Sequence, residues 1–287
     1  MVACTPHTGL GTVAVQRAAY VQVVNLATCR QSRLSKQQNA PVVTVRVTPT
    51  SQSIVYRGRT VLTIRESHRT VPAGTPGPIE LFGLSPDRKW VLYAVDPMGS
   101  ASIAADGLML QAVRISGGRS FNIGFGLAYA DYHAWCGGKL VMTVGGDRIA
   151  THAKRLIITG PPDWHPRSLV RAAGRSFGAL ACAPDRKSVV VQAQLSSTDA
   201  NFFHTHWALW RVGLDGSMTQ LTSPPAKHAD ESPHVSPDGK IVYFVRSQHG
   251  HGQLYALEGG HLTGPLLSLG YSLGYYGHQD WPYSVRR

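Results

Sequence analysis

The sequence predicts an all-β fold, a six-bladed β-propeller of four-stranded antiparallel blades, its ring closed by the C-terminal strand joining the N-terminal blade. Three observations predict it. A proline turn followed by a β-branched strand recurs about every 40–50 residues, the period of a propeller blade. The 287 residues include 30 Gly and 18 Pro, and 43% are hydrophobic, which favours many strands and turns over helices. Finally, the C-terminus opens a repeat that it has no room to finish.

The clearest copy of the repeat is Ser236-Pro237-Asp238-Gly239-Lys240-Ile241-Val242-Tyr243. Proline presets φ for the first corner of a turn, and Asp or Gly accepts the second. The β-branched run then leaves as a strand. Ser85-Pro86-Asp87-Arg88-Lys89-Trp90-Val91-Leu92-Tyr93 and Ala183-Pro184-Asp185-Arg186-Lys187-Ser188-Val189-Val190 repeat the pattern. Weaker copies are Trp135-Cys136-Gly137-Gly138-Lys139-Leu140-Val141 and Thr48-Pro49-Thr50-Ser51-Gln52-Ser53-Ile54-Val55-Tyr56. Thr5-Pro6-His7-Thr8-Gly9, ahead of Thr12-Val13-Ala14-Val15, is a sixth.

Each unit continues with a further apolar strand that ends in a turn, such as Leu254-Tyr255-Ala256-Leu257 before Gly259-Gly260. A short fourth strand follows, as in Met218-Thr219-Gln220-Leu221-Thr222. A single hairpin cannot bury its apolar face, so the neighbouring blade is expected to cover it. The expected blades are 1–40 with 276–287, then 41–76, 77–126, 127–174, 175–226 and 227–275, in one domain over 1–287. Trp90, Trp210, Tyr243 and Tyr255 sit on strands and read as core. His278-Gln279-Asp280-Trp281-Pro282-Tyr283-Ser284-Val285 aligns with His228-Ala229-Asp230-Glu231-Ser232-Pro233-His234-Val235. The last strand is therefore expected to become the inner strand of the first blade, which removes exposed sheet edges.

Composition excludes several classes. The net charge is +12, because acids are scarce, but no block of five like charges occurs. A nucleic-acid footprint needs its cations clustered on one face. No stretch of eighteen apolar residues is present, so no membrane span is expected. The opening MVACTPHTGLG lacks the basic start and apolar run of a signal peptide, so the expectation is a monomeric mature domain or a fragment of a longer anchored protein. Cys4, Cys29, Cys136 and Cys182 show no CxxC spacing and are expected to be free, mostly buried thiols.

Gly174-Arg175-Ser176-Phe177-Gly178 matches GxSxG, the nucleophile elbow of serine hydrolases. That elbow needs a strand, a sharp turn and a helix. Gly118-Arg119-Ser120-Phe121 occurs at a comparable place in an earlier unit, so GRSF reads as a blade feature at the start of an outer strand.

With these residues in hand, the chain resembles the TolB-like propeller family, whose blades carry the PD40 (WD40-like) repeat. The family pattern is similar to Glu231-Ser232-Pro233-His234-Val235-Ser236-Pro237-Asp238-Gly239-Lys240, except that Val235 replaces a tryptophan. Leu254-Tyr255 fits its second part. The resemblance implies a propeller and an extracytoplasmic setting. It also implies either a partner-binding protein or the propeller domain of a larger peptidase, and no peptidase domain fits in the remaining chain.

In a propeller the turn after the inner strand lies on one face. The segment entering the inner strand and the loop between the second and third strands lie on the other. By that rule His228, His278 and His133 sit near the channel mouth, and His234 sits on an inner strand. His152, His204, His206, His249 and His251 lie in loops of the same face. Glu80, Asp131, Glu231 and Asp280 join them. Imidazoles and carboxylates converging from several blades suit a divalent ion, Zn or Ca, with His133, His234, His228 and His278 as ligands. Glu231 or Asp280 would then act as general base on a metal-activated water.

Trp281, Tyr275 and Tyr276, with His204 and His206, would line a ligand pocket at the channel mouth. Two functions follow. One is a binding module that docks a protein, peptide or glycan, or a small-molecule ligand, on this face. The other is a metal-dependent hydrolase of lactonase, esterase or phosphotriesterase type, on fold-level analogy alone.

Overall fold

A computed structural model describes residues 4–17, 20–35, 51–56, 59–64, 69–72, 79–96, 107–145, 147–281 and 283–286. Its strands are β1 (Thr12–Gln16), β2 (Tyr20–Asn25), β3 (Gln31–Ser35), β4 (Ser51–Tyr56), β5 (Arg59–Ile64), β6 (Arg69–Pro72), β7 (Ile79–Leu84) and β8 (Trp90–Val95). There follow β9 (Gly107–Arg114), β10 (Phe121–Leu127), β11 (His133–Cys136), β12 (Lys139–Val144), β13 (Arg155–Thr159), β14 (Arg167–Ser168), β15 (Arg175–Cys182) and β16 (Ser188–Leu195). The last are β17 (Ala208–Gly213), β18 (Met218–Gln220), β19 (Ala229–Val235), β20 (Ile241–Gln248), β21 (His251–Glu258), β22 (His261–Tyr271) and β23 (Tyr283–Arg286).

The expectation of six four-stranded blades is corrected. The described residues form five four-stranded antiparallel sheets in a five-bladed, propeller-like arrangement: β23-β1-β2-β3, β7–β10, β11–β14, β15–β18 and β19–β22. β4, β5 and β6 form a three-stranded sheet, with no fourth strand among the described residues. The further blade rested on the weak copy beginning at Thr48, which lacks the Asp-x-Lys corner shared by the copies at Asp87, Asp185 and Asp238. Its turn residues lie outside the described residues.

Closure joins the two ends of the chain. β23 pairs antiparallel with β1, with Val285 opposite Val13 and Tyr283 opposite Val15, and forms the inner strand of the first blade. The apolar faces meet between blades. Val13, Val15, Val24, Ile241, Tyr243, Leu266 and Tyr283 pack at the closing seam. Val141, Leu156 and Ile158 meet Phe177, Leu180, Val189 and Val191 at another. β8 is buried at all six positions, as a strand covered on both sides must be. Trp90 and Tyr243 are core residues, while Trp210 and Tyr255 are half-buried.

Proline turns form where the sequence places them. Ser236 Oγ donates to Asp238 Oδ1 at 2.6 Å and accepts from the Ile241 N–H at 3.0 Å. Ser85 does the same with Asp87 and the Trp90 N–H. The corner after the aspartate is left-handed: φ is +75° at Gly239, +56° at Arg88 and +57° at Arg186.

The thiol expectation is also corrected. Cys4 pairs with Cys29, and Cys136 with Cys182, so the described cysteines are all in disulfides. Tertiary packing brings these partners together, and local spacing does not announce them. Cys136 and Cys182 end the inner strands β11 and β15, so their bridge joins two neighbouring blades. Cross-links over 25 and 46 residues are each worth about 3–4 kcal/mol in the chain-entropy account.

The two GRSF stretches differ. Gly118-Arg119-Ser120 precedes the outer strand β10, but Arg175 opens the inner strand β15. Ser176 is buried, donates to the Ala150 carbonyl and accepts from the Lys154 N–H. No helix follows it, so it is no nucleophile elbow.

Candidate functional site

Antiparallel order gives the ring two distinct faces. One, the turn face, carries the turns joining first to second and third to fourth strands. The other, the loop face, carries the second-to-third-strand loops and the links between blades. The link 272–281, between β22 and β23, does not take the short way to the next blade. It reaches across the loop face to the blade β11–β14. The Ala150 N–H donates to the Tyr276 carbonyl at 2.8 Å. The Tyr129 hydroxyl donates to the Tyr275 carbonyl at 3.4 Å. Gly277, at φ +84°, lets the backbone pass Thr151, where a Cβ would come within 3.2 Å of the methyl group.

Beneath this strap lies a polar and aromatic cluster. His278 is buried, stacked on Tyr129 at 3.8 Å between centroids and edge-on to Tyr132 at 5.3 Å. Its Nε2 stands 3.8 Å from Asp131 Oδ1, too far for a hydrogen bond. Burial holds the imidazole down to about 4, against the opposing charge of Asp280. Burial and the like charge of Asp280 push the Asp131 carboxyl up to about 7, although a third of the side chain stays exposed. Trp281 is buried and its Nε1–H donates to Glu231 Oε2 at 2.8 Å. Burial raises the Glu231 carboxyl to about 8 despite that hydrogen bond, so the group is protonated at neutral pH. The Tyr132 hydroxyl and Gln279 Oε1 are buried without a hydrogen-bond partner among the described residues.

His133 and His234 occupy equivalent registers, opposite Met142 and Tyr243. The alignment that paired them is thus correct in register. Their rings, however, turn to different neighbours: His133 lies edge-on to Phe82, and His234 packs on Tyr283 at 4.5 Å. Burial depresses both to about 4. His228 Nδ1 is 2.9 Å from the Ala226 carbonyl. His204 pairs with Asp199 at 2.7 Å in an exposed loop, and His206 is exposed beside it. Asp280 is exposed, and its carbonyl accepts from the Ser272 hydroxyl. Tyr275 is exposed and Tyr276 half-buried, with the Arg148 guanidinium over its ring at 4.9 Å. Glu80 lies on β7, with its side chain outside the described residues. Among the described residues no three His, Cys, Asp or Glu side chains gather into a group able to hold a metal ion.

Sequence reasoning missed Tyr129, Tyr132 and the pair Asp230–Arg246. Asp230 is fully buried and takes a two-pronged hydrogen bond from Arg246, at 2.7 and 2.8 Å. The one available signal was the aromatic run Tyr129-Ala130-Asp131-Tyr132-His133 at the mouth of an inner strand.

A closed ring of antiparallel blades around a channel defines a β-propeller. The fold is similar to that of a puromycin hydrolase, at 12% identity over 95% of this chain and 54% of that one, with a TM-score of 0.51. It is also similar to TolB from Acinetobacter baumannii, at 14% identity over 91% and 64% of the two chains and a TM-score of 0.49. The same holds for a putative TolB from Agrobacterium tumefaciens, at 14% identity over 91% of each chain and a TM-score of 0.47. The chain thus spans less than two thirds of the first two proteins. At such identities the likeness is one of fold. No family model and no curated protein matches the sequence.

Proposed function

We propose that this propeller is a TolB-like binding module that docks a protein, peptide or glycan on its loop face. The observation that carries the reading is the strap. It covers the channel mouth and uses His278 and Trp281 to hold itself down. The surface left for a partner is then the apolar edge of the strap itself, where Tyr271, Leu273 and Tyr275 are 52%, 78% and 49% exposed. Large exposed apolar side chains gathered on one polar-rimmed surface are a mark of association. The disulfides support an extracytoplasmic setting, since such bonds persist where thiols are not kept reduced. The hydrolase reading has no gathered metal ligands behind it among the described residues.

The test is a peptide and glycan array probed with wild-type protein and with Leu273→Ser/Tyr275→Ala. Binding to a defined ligand that the double variant weakens at least roughly tenfold supports the reading. Chelator-sensitive hydrolysis of ester, lactone or phosphotriester substrates, with no array ligand, overturns it.

A further inference from the structure

The turn face carries a second surface. Its inner turns ring the opposite end of the channel and present Arg88, Lys89, Lys139, Arg186, Lys187 and Lys240, all exposed. Three of these turns abut. A Cβ on Gly137 would meet the Arg186 carbonyl oxygen at 2.9 Å, and one on Gly239 would meet Pro184 at 3.6 Å. The disulfide Cys136–Cys182 fixes two of them together. Lys139, Arg186, Lys187 and Lys240 therefore form one continuous strip. Among the described residues none of the six cations lies in an ion pair. The acids of the same turns, Asp87, Asp185 and Asp238, are exposed too and each accepts from the backbone N–H two residues on, so six cations stand against three acids on these turns.

Two of the cations sit where a side chain is costly. Arg88 and Arg186 hold φ at +56° and +57°, at the corner that Gly239 fills in the sister turn. A left-handed conformation costs a non-glycine residue about 1 kcal/mol, so glycine is the residue that local stability favours there. Arginine at that corner in two separate blades is an observed strain whose natural explanation is function.

We propose that the turn face is an electrostatic docking surface for an anionic lipid membrane. Antiparallel order puts these short turns on one face of the ring, and cations presented on short turns suit a flat sheet of headgroups better than a grooved polymer site. Leu262 is the one large apolar side chain among the described residues that this face exposes, so adsorption rests on charge without insertion. The surface lies opposite the strap and is independent of the function proposed above.

The experiment is co-sedimentation with vesicles of phosphatidylcholine alone, and of phosphatidylcholine with about one third phosphatidylglycerol. The comparison protein is Arg88→Gly/Arg186→Gly. Each cation near a charged bilayer is worth about a five-fold change in partition, so the double variant should bind the anionic vesicles roughly 25-fold more weakly. Its Tm should equal or exceed that of wild type, which separates lost binding from lost folding. Wild-type binding should vanish on pure phosphatidylcholine and at about 0.5 M salt. Equal binding to both vesicle types overturns the proposal. So does an unchanged double variant, or capture by heparin or DNA without capture by vesicles.

Discussion

The two faces of this ring are built by different means. On the turn face the serine-proline turns satisfy themselves. Ser236, Asp238 and the N–H groups of Lys240 and Ile241 close a hydrogen-bonded circle within six residues. On the loop face the strap is held by partners far along the chain. Trp281 bonds Glu231 from fifty residues away, and Tyr129 meets the strap from 146 away. The turn face is accordingly exposed and modular, whereas the loop face buries ionisable groups in a shared, partly unsatisfied cluster. Damage should therefore spread on one face and stay contained on the other.

The sharpest break of that contrast is Asp230→Ala. It strips the buried partner from Arg246 and leaves a guanidinium that is 89% covered without its carboxylate. Loss of one member of a buried pair costs about 3–5 kcal/mol. The exposed turn residue Asp238, replaced by Ala, should cost about 1 kcal/mol, the worth of an ordinary hydrogen bond. Urea denaturation of both variants measures the ratio. Similar losses at the two sites would erase the distinction between the faces.

Acid–base behaviour sharpens it further. His133, His234 and His278 are held from 6.5 down to about 4. A depressed imidazole contributes stability that is present above 6.5 and is lost as pH falls toward 4. Glu231 is raised from 4.5 to about 8, and Asp131 from 3.8 to about 7. A raised carboxyl works the other way: its contribution is present at low pH and is lost as pH climbs toward 7 or 8. Asp131 counts for less, because solvent screens its exposed part. Tm should peak near pH 6.5, with an alkaline fall owed mainly to Glu231. Glu231→Gln keeps an acceptor for the Trp281 N–H and removes the titration, so its Tm should fall less between about pH 6.5 and 8.5. An identical alkaline limb in the variant would show that Glu231 does not titrate as its burial demands.

The same division explains what the sequence could disclose. Proline turns, strand order and ring closure were legible because each follows from a few adjacent residues repeated along the chain. The alignment of 278–285 with 228–235 placed β23 correctly, since a repeat carries its neighbours with it. Blade count failed at Thr48, where the turn residues that make the signal are missing. The disulfides failed too, because Cys136 and Cys182 become neighbours only when two inner strands are laid side by side. At the site, sequence named His278, Trp281, Glu231 and Asp131, but not their bonds. Those bonds depend on a strap that reaches two blades away, and no local pattern encodes that reach.

A smaller effect tests whether the turn face is as modular as its hydrogen bonds suggest. The turns at 183–188 and 236–241 share the same backbone frame: the first residue's N–H donates to the carbonyl five residues on, at 2.9 Å in both. At their first position they differ in one heavy atom, since Ala183 stands where Ser236 supplies its hydroxyl. In the alanine turn Asp185 Oδ1 accepts only the Lys187 N–H, at 2.8 Å. Ser236→Ala should therefore cost about 1 kcal/mol, and Ala183→Ser should gain up to about that much by restoring the missing hydroxyl. Both should leave the pH profile of the loop face unchanged. If Ala183→Ser destabilises instead, the buried surroundings of that Cβ outweigh the turn's own chemistry. The two turns would then no longer be interchangeable units, and self-sufficiency on this face would have to be argued blade by blade.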